Sequence, residues 1–501
     1  MKPDDTAEHN VLISSNLSDN QQRIAKVFAN CIDIKYVVYR YGPELIHTAL
    51  VVHCETLTQD KKLNYLKSAL QDLTAHEVGA ATAISPEEVI NFFGQHGVST
   101  HSADIIEQFD QAVKNVLNGY VVIFLDQWNK ALSFHSLYVE SRTVSESVNE
   151  PVVKGPHDST VEDLKKNIGL LRARLKTSDF KIEMFIAGKK TNAEVAFGYL
   201  EEAVDPEMLA EFKRRIEKVK KEEILETSFI EELIEDSTYS PFPQYRYTER
   251  PDVAVAALLD GKIIVMVSGT PSVMICPGLF VEFFSSSEDY YQRTVFASLV
   301  RLMRLVAFFL ALALPSIYIA LSTFHPELIP TVLLLAIKDT REGIPFPAFV
   351  EALIMVFFFE ILREAGIRLP RPVGSAVSIV GALVIGQAAI QAKIASPIMV
   401  IVVALTGIAS FSLPQYTLTV ALRTMQFPLM ALAASLGGFG LMIGFLLTLL
   451  HLTCLRSLGQ PYLSTLAPLR PKQLRDVFIR APLKILLRSP RNRYLHKKPG
   501  E

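Results

Sequence analysis

The chain has 501 residues, half of them hydrophobic, a formal net charge of −2 and four cysteines. Near-neutral balance, with no basic domain before the C-terminal stretch, excludes a general nucleic-acid binder. Cys31, Cys54, Cys276 and Cys454 are scattered without C-x-x-C spacing, so buried small hydrophobes in a reducing compartment are expected rather than a disulfide framework. Hydrophobicity is uneven: 1–295 has ordinary soluble composition and 296–455 is mostly apolar. The expected layout is a polar leader (1–20), a first cytosolic α/β module (21–145), a second (146–295), a polytopic α-helical membrane domain (296–455) and a basic tail (456–501). The leader is polar and acidic, without the apolar core of a signal peptide.

In the first module, Ile34–Arg40 and Thr48–Glu55 have strand patterns. Lys61–Asp72, Ile84–Gly94 and Ile105–Leu117 have helical ones, the second opened by Ser85-Pro86-Glu87-Glu88. Tyr120–Trp128 and Ala131–Leu137 alternate around Gln127–Lys130 like a hairpin. The histidines His47, His53 and His76 lack metal-site spacing and are expected as surface or core residues. The polar stretch Glu140–Ser159, with Pro151, Gly155 and Pro156, marks the module boundary. In the second module Val161–Leu175 is expected as a helix, Ile182–Gly188 and Glu194–Glu201 as strands around Gly188-Lys189-Lys190-Thr191, and Pro206–Ile234 as one charged helix. Val253–Leu259 and Ile263–Val267 are expected as a hairpin across Asp260-Gly261, with Val273–Cys276 as a further strand.

In the apolar half, Arg293, Arg301 and Arg304 precede Leu305–Thr323, 19 residues without charge, and the following loop Phe324–Pro330 has no Lys or Arg. The tail from Arg456 carries 11 Lys/Arg against two acids. Positive-inside asymmetry then puts the soluble half and the tail in the cytoplasm, with an even number of crossings. Leu328–Ile337 is short for a span; Phe346–Leu362, Val373–Gln391 and Pro397–Leu413 are plausible spans. Phe427–Leu455, with Gly437-Gly438 inside it, reads as one tilted helix or two pieces. Six spans satisfy both tails but put Arg363, Arg368 and Arg371 outside. Four spans with two re-entrant segments satisfy tails and arginines alike, and both arrangements stay open.

Val373–Gln391 has no charge in 19 residues. At about 100° per residue, Gly374, Ser378, Gly381, Ala388 and Ala392 fall close to one line, flanked by Ser375, Ala382, Gly386 and Ala389. Such a small-residue stripe suits close helix packing or the lining of a narrow path. Gly374, Val377, Ser378, Gly381 and Ile385 are the candidate pore lining, with Val377 and Ile385 as constrictions that gate by dewetting; Gln387 lies on the opposite side. Glu351 is the candidate intramembrane acid, because an acid at mid-helix costs about 2.5–3.5 kcal/mol on insertion scales and no partner is close in sequence. Glu360 has Arg363 within reach. The candidate coupling segment between soluble half and first span holds Glu288, Asp289, Tyr290, Tyr291 and Arg293, a mixture suited to a headgroup interface.

No nucleophile–base pair, metal cluster or phosphate loop survives this reading, so neither an enzyme nor a cofactor is expected. Gly381–Gln387 imitates a phosphate loop without its lysine. A long, ordered series of motifs carries a more specific likeness. Glu150-Pro151…Lys154-Gly155-Pro156, Leu171-Arg172-Ala173-Arg174, Ser240-Pro241-Phe242-Pro243, Tyr247-Thr248-Glu249-Arg250-Pro251-Asp252 and Ser287-Glu288-Asp289-Tyr290-Tyr291-Gln292-Arg293 run through the second module. Phe324-His325-Pro326-Glu327, Arg341–Pro347 and Arg363–Gln391 continue through the apolar half. From about 150 to 468 the chain resembles the A subunits of bacterial spore germinant receptors, the GerA-type spore germination proteins. That resemblance implies a nutrient-responsive complex in the spore inner membrane, with a transporter-like B subunit that holds the nutrient and a C lipoprotein. It also implies a homo-oligomeric ring of A subunits around an ion path, embedded in membrane lipid. The alternatives are a membrane-anchored scaffold that transmits a signal without conducting, and a solute transporter, for which an internal repeat in 296–455 is lacking.

Overall fold

The computed structural model describes residues 11–41, 47–58, 103–137, 150–369, 381, 383–464, 466–467, 476–482 and 484. The described residues form two compact units, one drawn from Met1–Ile234 and Tyr247–Cys276, the other from Glu235–Arg246 and Pro277–Pro490.

The first unit is built on two five-stranded sheets. Strands β1 (Ile34–Tyr41), β2 (His47–Cys54), β3 (Asp104–Ile106), β4 (Tyr120–Leu125) and β5 (Ala131–His135) are ordered β1-β2-β4-β5-β3. Strands β6 (Phe180–Ala187), β7 (Ala193–Leu200), β8 (Arg246–Thr248), β9 (Ile263–Val267) and β10 (Val273–Cys276) take the order β6-β7-β9-β10-β8. Numbered within each sheet, both orders are 1-2-4-5-3, so the second module repeats the topology of the first. Each sheet follows a helix, α1 (Leu17–Val27) or α3 (Leu164–Arg174), and each inserts another between its third and fourth strands, α2 (Phe109–Leu117) or α6 (Pro251–Leu259). Strand alternation sends Leu50, Val52, Val122 and Phe124 toward Ile24 and Val116, while Val51, Val121, Ile123 and Phe134 form a core on the other face. The second sheet likewise buries Ile182, Ala196, Ile264 and Met266 against Leu164, Ile168, Leu171, Ala254 and Leu258.

Charge joins the two modules. Arg172 and Asp33 are both fully buried, and the guanidinium binds the carboxylate in a fork, Nε to Oδ2 at 2.7 Å and Nη2 to Oδ1 at 2.9 Å. Arg172 also donates to the carbonyls of Thr177 and Phe180, at 2.9 and 3.0 Å. Backbone bonds from Ile32 to Ile182 O and from Ile182 to Asn30 O, at 3.1 and 2.8 Å, add a short parallel bridge beside it.

Three expectations need correction. Val253–Leu259 is not a strand but part of α6, so Asp260-Gly261 links helix to strand. Pro251 at the first turn is preorganised for a helix, and one face of the alanine-rich segment is buried against the sheet. Pro206–Ile234 is two helices, α4 (Pro206–Val219) and α5 (Thr227–Ile234). Between them Glu223 folds back and accepts from the backbone N–H groups of Lys189, Lys190 and Thr191, at 3.1, 3.1 and 2.9 Å. Ile105–Leu117 begins as β3 and becomes helical only at Phe109. Lys61–Asp72 and Ile84–Gly94 lie outside the described residues. Cys31, Cys54 and Cys276 are buried as expected, whereas Cys454 is exposed. Burial, reinforced by Asp33, pushes the Cys54 thiol up to about 12, which keeps it protonated and unreactive.

The second unit is helical. Its elements are α7 (Glu288–Tyr291), α8 (Thr294–Thr323), α9 (Thr331–Arg341), α10 (Ala348–Arg368), α11 (Pro397–Phe411) and α12 (Tyr416–Cys454), with a further helical stretch at 383–391 between α10 and α11. Two of them, α8 and α12, are long and apolar enough to cross a membrane. As one rod, the 39 residues of α12 would run about 58 Å, nearly twice a bilayer core. They do not. Gly437, at φ 60° and ψ −137°, breaks the helix. A Cβ on Gly440 would stand 2.1 Å from Leu432 O, and one on Gly444 would stand 2.4 Å from Leu429 Cδ2. Residues 429 and 444 of a continuous helix would be about 22 Å apart, so the chain reverses at Gly437 and its halves pack side by side. Phe324 fills the bend, and Gly438 N donates to His325 Nε2 at 3.2 Å. At the opposite end Leu418, Leu422, Leu452 and Leu455 gather with Phe283, Phe284, Phe308 and Tyr462.

Candidate functional site

Asp289 is the centre of a buried charge cluster at the start of α8. Its carboxylate accepts from Arg301 Nε at 3.0 Å and from Arg304 Nη1 at 2.8 and 2.9 Å. Arg301 is almost fully buried, and its Nη1 reaches Asp476 O at 2.5 Å and Asp476 Oδ1 at 3.1 Å. Tyr290 donates its hydroxyl to Asp476 Oδ2 at 2.8 Å while its ring lies 5.3 Å from the Arg301 guanidinium carbon. Burial, together with the Asp476 carboxylate, pushes the Tyr290 phenol above its ordinary range. Arg480 closes the cluster, donating to the carbonyls of Tyr290 and Gln292 at 3.2 and 3.1 Å and to Thr294 Oγ1 at 2.9 Å. Thus a segment of the tail is clasped to the root of the first long apolar helix. Such a charge-assisted cluster can hold that root fixed or pass a displacement into it.

Of the coupling residues expected from sequence, Asp289 and Tyr290 are in the cluster. Glu288 accepts from Gln292 Nε2 at 2.9 Å, Tyr291 is half-buried, and Arg293 is exposed at the helix start. Asp476 and Arg480 were invisible as members, because they sit 175 or more residues away. The one cue was an acid inside a basic tail.

Glu351 is fully buried in the first turn of α10. It accepts from Ser396 N at 2.7 Å and from Ser396 Oγ, and Arg341 Nε lies 3.7 Å from its second oxygen. Ser396 caps α11, its hydroxyl accepting from Met399 N at 3.2 Å. The acid therefore fastens the start of one helix to the cap of another. Glu360 pairs with Arg423 at 2.8 Å as well as with Arg363 at 3.5 Å. Gly374, Val377 and Ser378 lie outside the described residues. A Cβ at Gly381 would meet Leu362 Cδ2 at 2.9 Å, and Ile385 is half-buried. Farther along, Gly386 and Ala389 are buried, whereas Gln387, Ala388, Gln391 and Ala392 are exposed.

Two sheet modules and a helical unit with membrane-length apolar helices define a membrane-associated protein. The signature of the Bacillus/Clostridium GerA spore germination protein family matches residues 22–492. The chain belongs to that family. Spore germination protein KA of Bacillus subtilis (strain 168) is 39% identical over 481 residues, covering 95% of this chain and 86% of its own. Uncharacterized membrane protein YfkQ of the same strain is 39% identical over 478 residues, 95% of this chain and 91% of its own. The solved N-terminal domain of the A subunit of the Bacillus megaterium spore germinant receptor GerK3 is similar at 23% identity and a TM-score of 0.42, over 55% of this chain and 99% of that one. Members of this family are receptor components rather than catalysts. Among the described residues no group of three or more His, Cys, Asp or Glu is placed to hold a metal ion.

Proposed function

We propose that the chain is the A subunit of a nutrient-responsive spore germinant receptor and that copies of it assemble into the ion-conducting part of the complex. It acts in the spore inner membrane beside a transporter-like B subunit, which holds the nutrient, and a C lipoprotein. Its modules at 21–145 and 146–295 and its tail at 456–501 face the cytoplasm, and 296–455 crosses the bilayer.

The helical unit is read as six antiparallel passes, and the levels at which its helices touch support this. Phe308 and Ala311 of α8 cluster with Leu418 and Ala421, and Tyr318 and Ile319 with Met430 and Ala433, so α8 and the first half of α12 run in parallel. Ala352 and Met399 join the Tyr318 level, while Arg363 and Ser410 line a pocket with Ala311, so α10 and α11 run the other way. The stretch through Gly381, beside Leu362, to Ala389, at the Ala352 level, returns between them. The second half of α12 comes back from Gly437. In this topology α9 is a short piece beyond the bundle, not a span. Arg368, at the end of α10, then lies on the same side as Arg301, as the positive-inside pattern asks. Large apolar side chains that remain exposed on α8 and α12, among them Phe296, Met303, Phe309, Met442 and Leu446, suit lipid.

Val373–Gln391 lines the ion path between copies. The observation that carries this is the exposed pair Gln387 and Gln391, amides four residues apart flanked by Ala388 and Ala392. Amides exposed on the flank of an apolar helix suit water or a neighbouring copy better than lipid. The Ser378 face, with Gly374, Val377, Gly381 and Ile385, is the other possible lining. Cysteines placed singly from Val373 to Gln391 in purified chain reconstituted into liposomes, with Val377→Ala to remove a constriction, separate the two. Ion flux blocked by a charged thiol reagent with helical periodicity is expected. Absence of flux above empty liposomes favours the non-conducting scaffold.

A further inference from the structure

Arg363, Arg423 and Glu360 meet in a small pocket inside the helical unit, walled by Ala311, Val356, Val403 and Leu422. The two guanidiniums share one carboxylate, and the lining contains no other charged side chain. Arg423 Nη1 takes Glu360 Oε2 at 2.8 Å, and Arg363 Nη2 donates to Ser410 Oγ at 3.2 Å. Arg363 is held by stacking, its guanidinium carbon 4.9 Å from the Phe359 ring and 5.0 Å from that of Phe411. Arg363 Nε and Nη1, Arg423 Nε and Gln426 Nε2 are buried without a hydrogen-bond partner among the described residues. Ser410 Oγ accepts from Arg363 Nη2 only, and neither its lone pairs nor those of Thr406 Oγ1 take a hydrogen bond from these four nitrogens. The pocket therefore has three donors with no acceptor, a fourth, Arg363 Nη1, held only by its 3.5 Å ion pair with Glu360, and one net positive charge.

Its depth makes the surplus consequential. Ala311 stands ten residues beyond Arg301 on α8, about 15 Å along the axis, so the pocket lies within the apolar part of the bundle. An unbalanced guanidinium there is costly, and buried N–H groups need acceptors. We propose that the pocket holds one small monovalent anion of halide size, bound by Arg363, Arg423 and Gln426. The space is only about that of one water molecule, so a halide enters with a small outward shift of the Arg423 and Gln426 side chains, and a phosphate or a sugar acid does not fit. The anion would tie α10 to α12 and offset the charge that Glu360 leaves unbalanced. This rests on the helical unit lying in a bilayer, not on conduction, so absence of ion flux would leave it standing.

The test uses the full chain in nanodiscs of zwitterionic lipid, melted in sodium chloride or sodium gluconate at equal ionic strength. A saturable rise of roughly 2–4 °C in chloride, reproduced by bromide and absent in gluconate, is expected. Arg423→Gln makes the pocket neutral and should abolish the rise. Glu360→Gln increases the surplus and should move the half-maximal effect to lower chloride, which keeps the test open if Arg423→Gln does not fold. Equal melting in chloride and gluconate overturns the site, as does a chloride effect unchanged in both variants. Melting that follows the number of chains per disc but not the anion also overturns it, and gives the surplus charge to a carboxylate of a second copy.

Discussion

Asp289 neutralises two buried or nearly buried guanidiniums at once, those of Arg301 and Arg304. Replacing it with Asn leaves Arg301 to Asp476 alone and Arg304 without a carboxylate in the cluster. Removing one partner of a buried charge pair costs about 3–5 kcal/mol. Asp289→Asn should therefore lower the melting midpoint of the full chain and slow the germination response at normal protein level, with Asp289→Glu restoring much of both. A variant that melts and germinates like the parent would show that the cluster neither holds nor transmits. At this scale the sequence announced the acids and arginines before the first span, because charge beside an apolar run is conspicuous. It was silent about Asp476 and Arg480, whose contacts close across more than 170 residues. Ser396 was half-legible, since Ser-Pro before an apolar run signals a helix start, but nothing local pairs it with Glu351.

Gly437 decides the form of the last long apolar element. Its dihedrals lie in a region that side-chain-bearing residues avoid, and a Cβ there would stand 2.8 Å from the Phe324 side chain. Gly437→Leu should cost about 1–3 kcal/mol in backbone strain alone, more with the clash. The expected readout is a lower melting midpoint and faster proteolysis near the bend, whereas Leu436→Ala, just before it and half exposed, changes little. Equal stability of Gly437→Leu and the parent would contradict the reversal. The glycine pair was visible in sequence; the direction of the chain after it was not, since a bend and a break leave the same composition. The misread elements have related causes. Val-Ala-Val-Ala at 253–256 alternates like a strand, but the alanines and Pro251 favour a helix once the sheet offers a face. Lys220–Glu226 contains no Gly or Pro, so the break between α4 and α5 follows from Glu223 clasping the hairpin turn.

At the scale of the molecule, the sequence divided the chain into a soluble and an apolar half because composition changes sharply near residue 296. The shared 1-2-4-5-3 order of the two sheets was hidden, since topology depends on which strands pair and not on residues they share. α9, with 11 residues, is too short for a span and ends in Lys338, Asp339 and Arg341, so the apolar run that opens it does not by itself fix the number of crossings. The account's central claim is that the helical unit threads a membrane with its entry, its exit and its arginine-rich ends on one side. Single cysteines at Glu327 and Leu436, and separately at Glu288 and Arg456, in a chain with Cys454 replaced by Ser, test it in intact cells with a membrane-impermeant thiol reagent. Glu327→Cys and Leu436→Cys should be labelled, and Glu288→Cys and Arg456→Cys only after the membrane is opened. Labelling of Arg456→Cys together with Glu327→Cys from outside, or protection of Leu436→Cys, would contradict it.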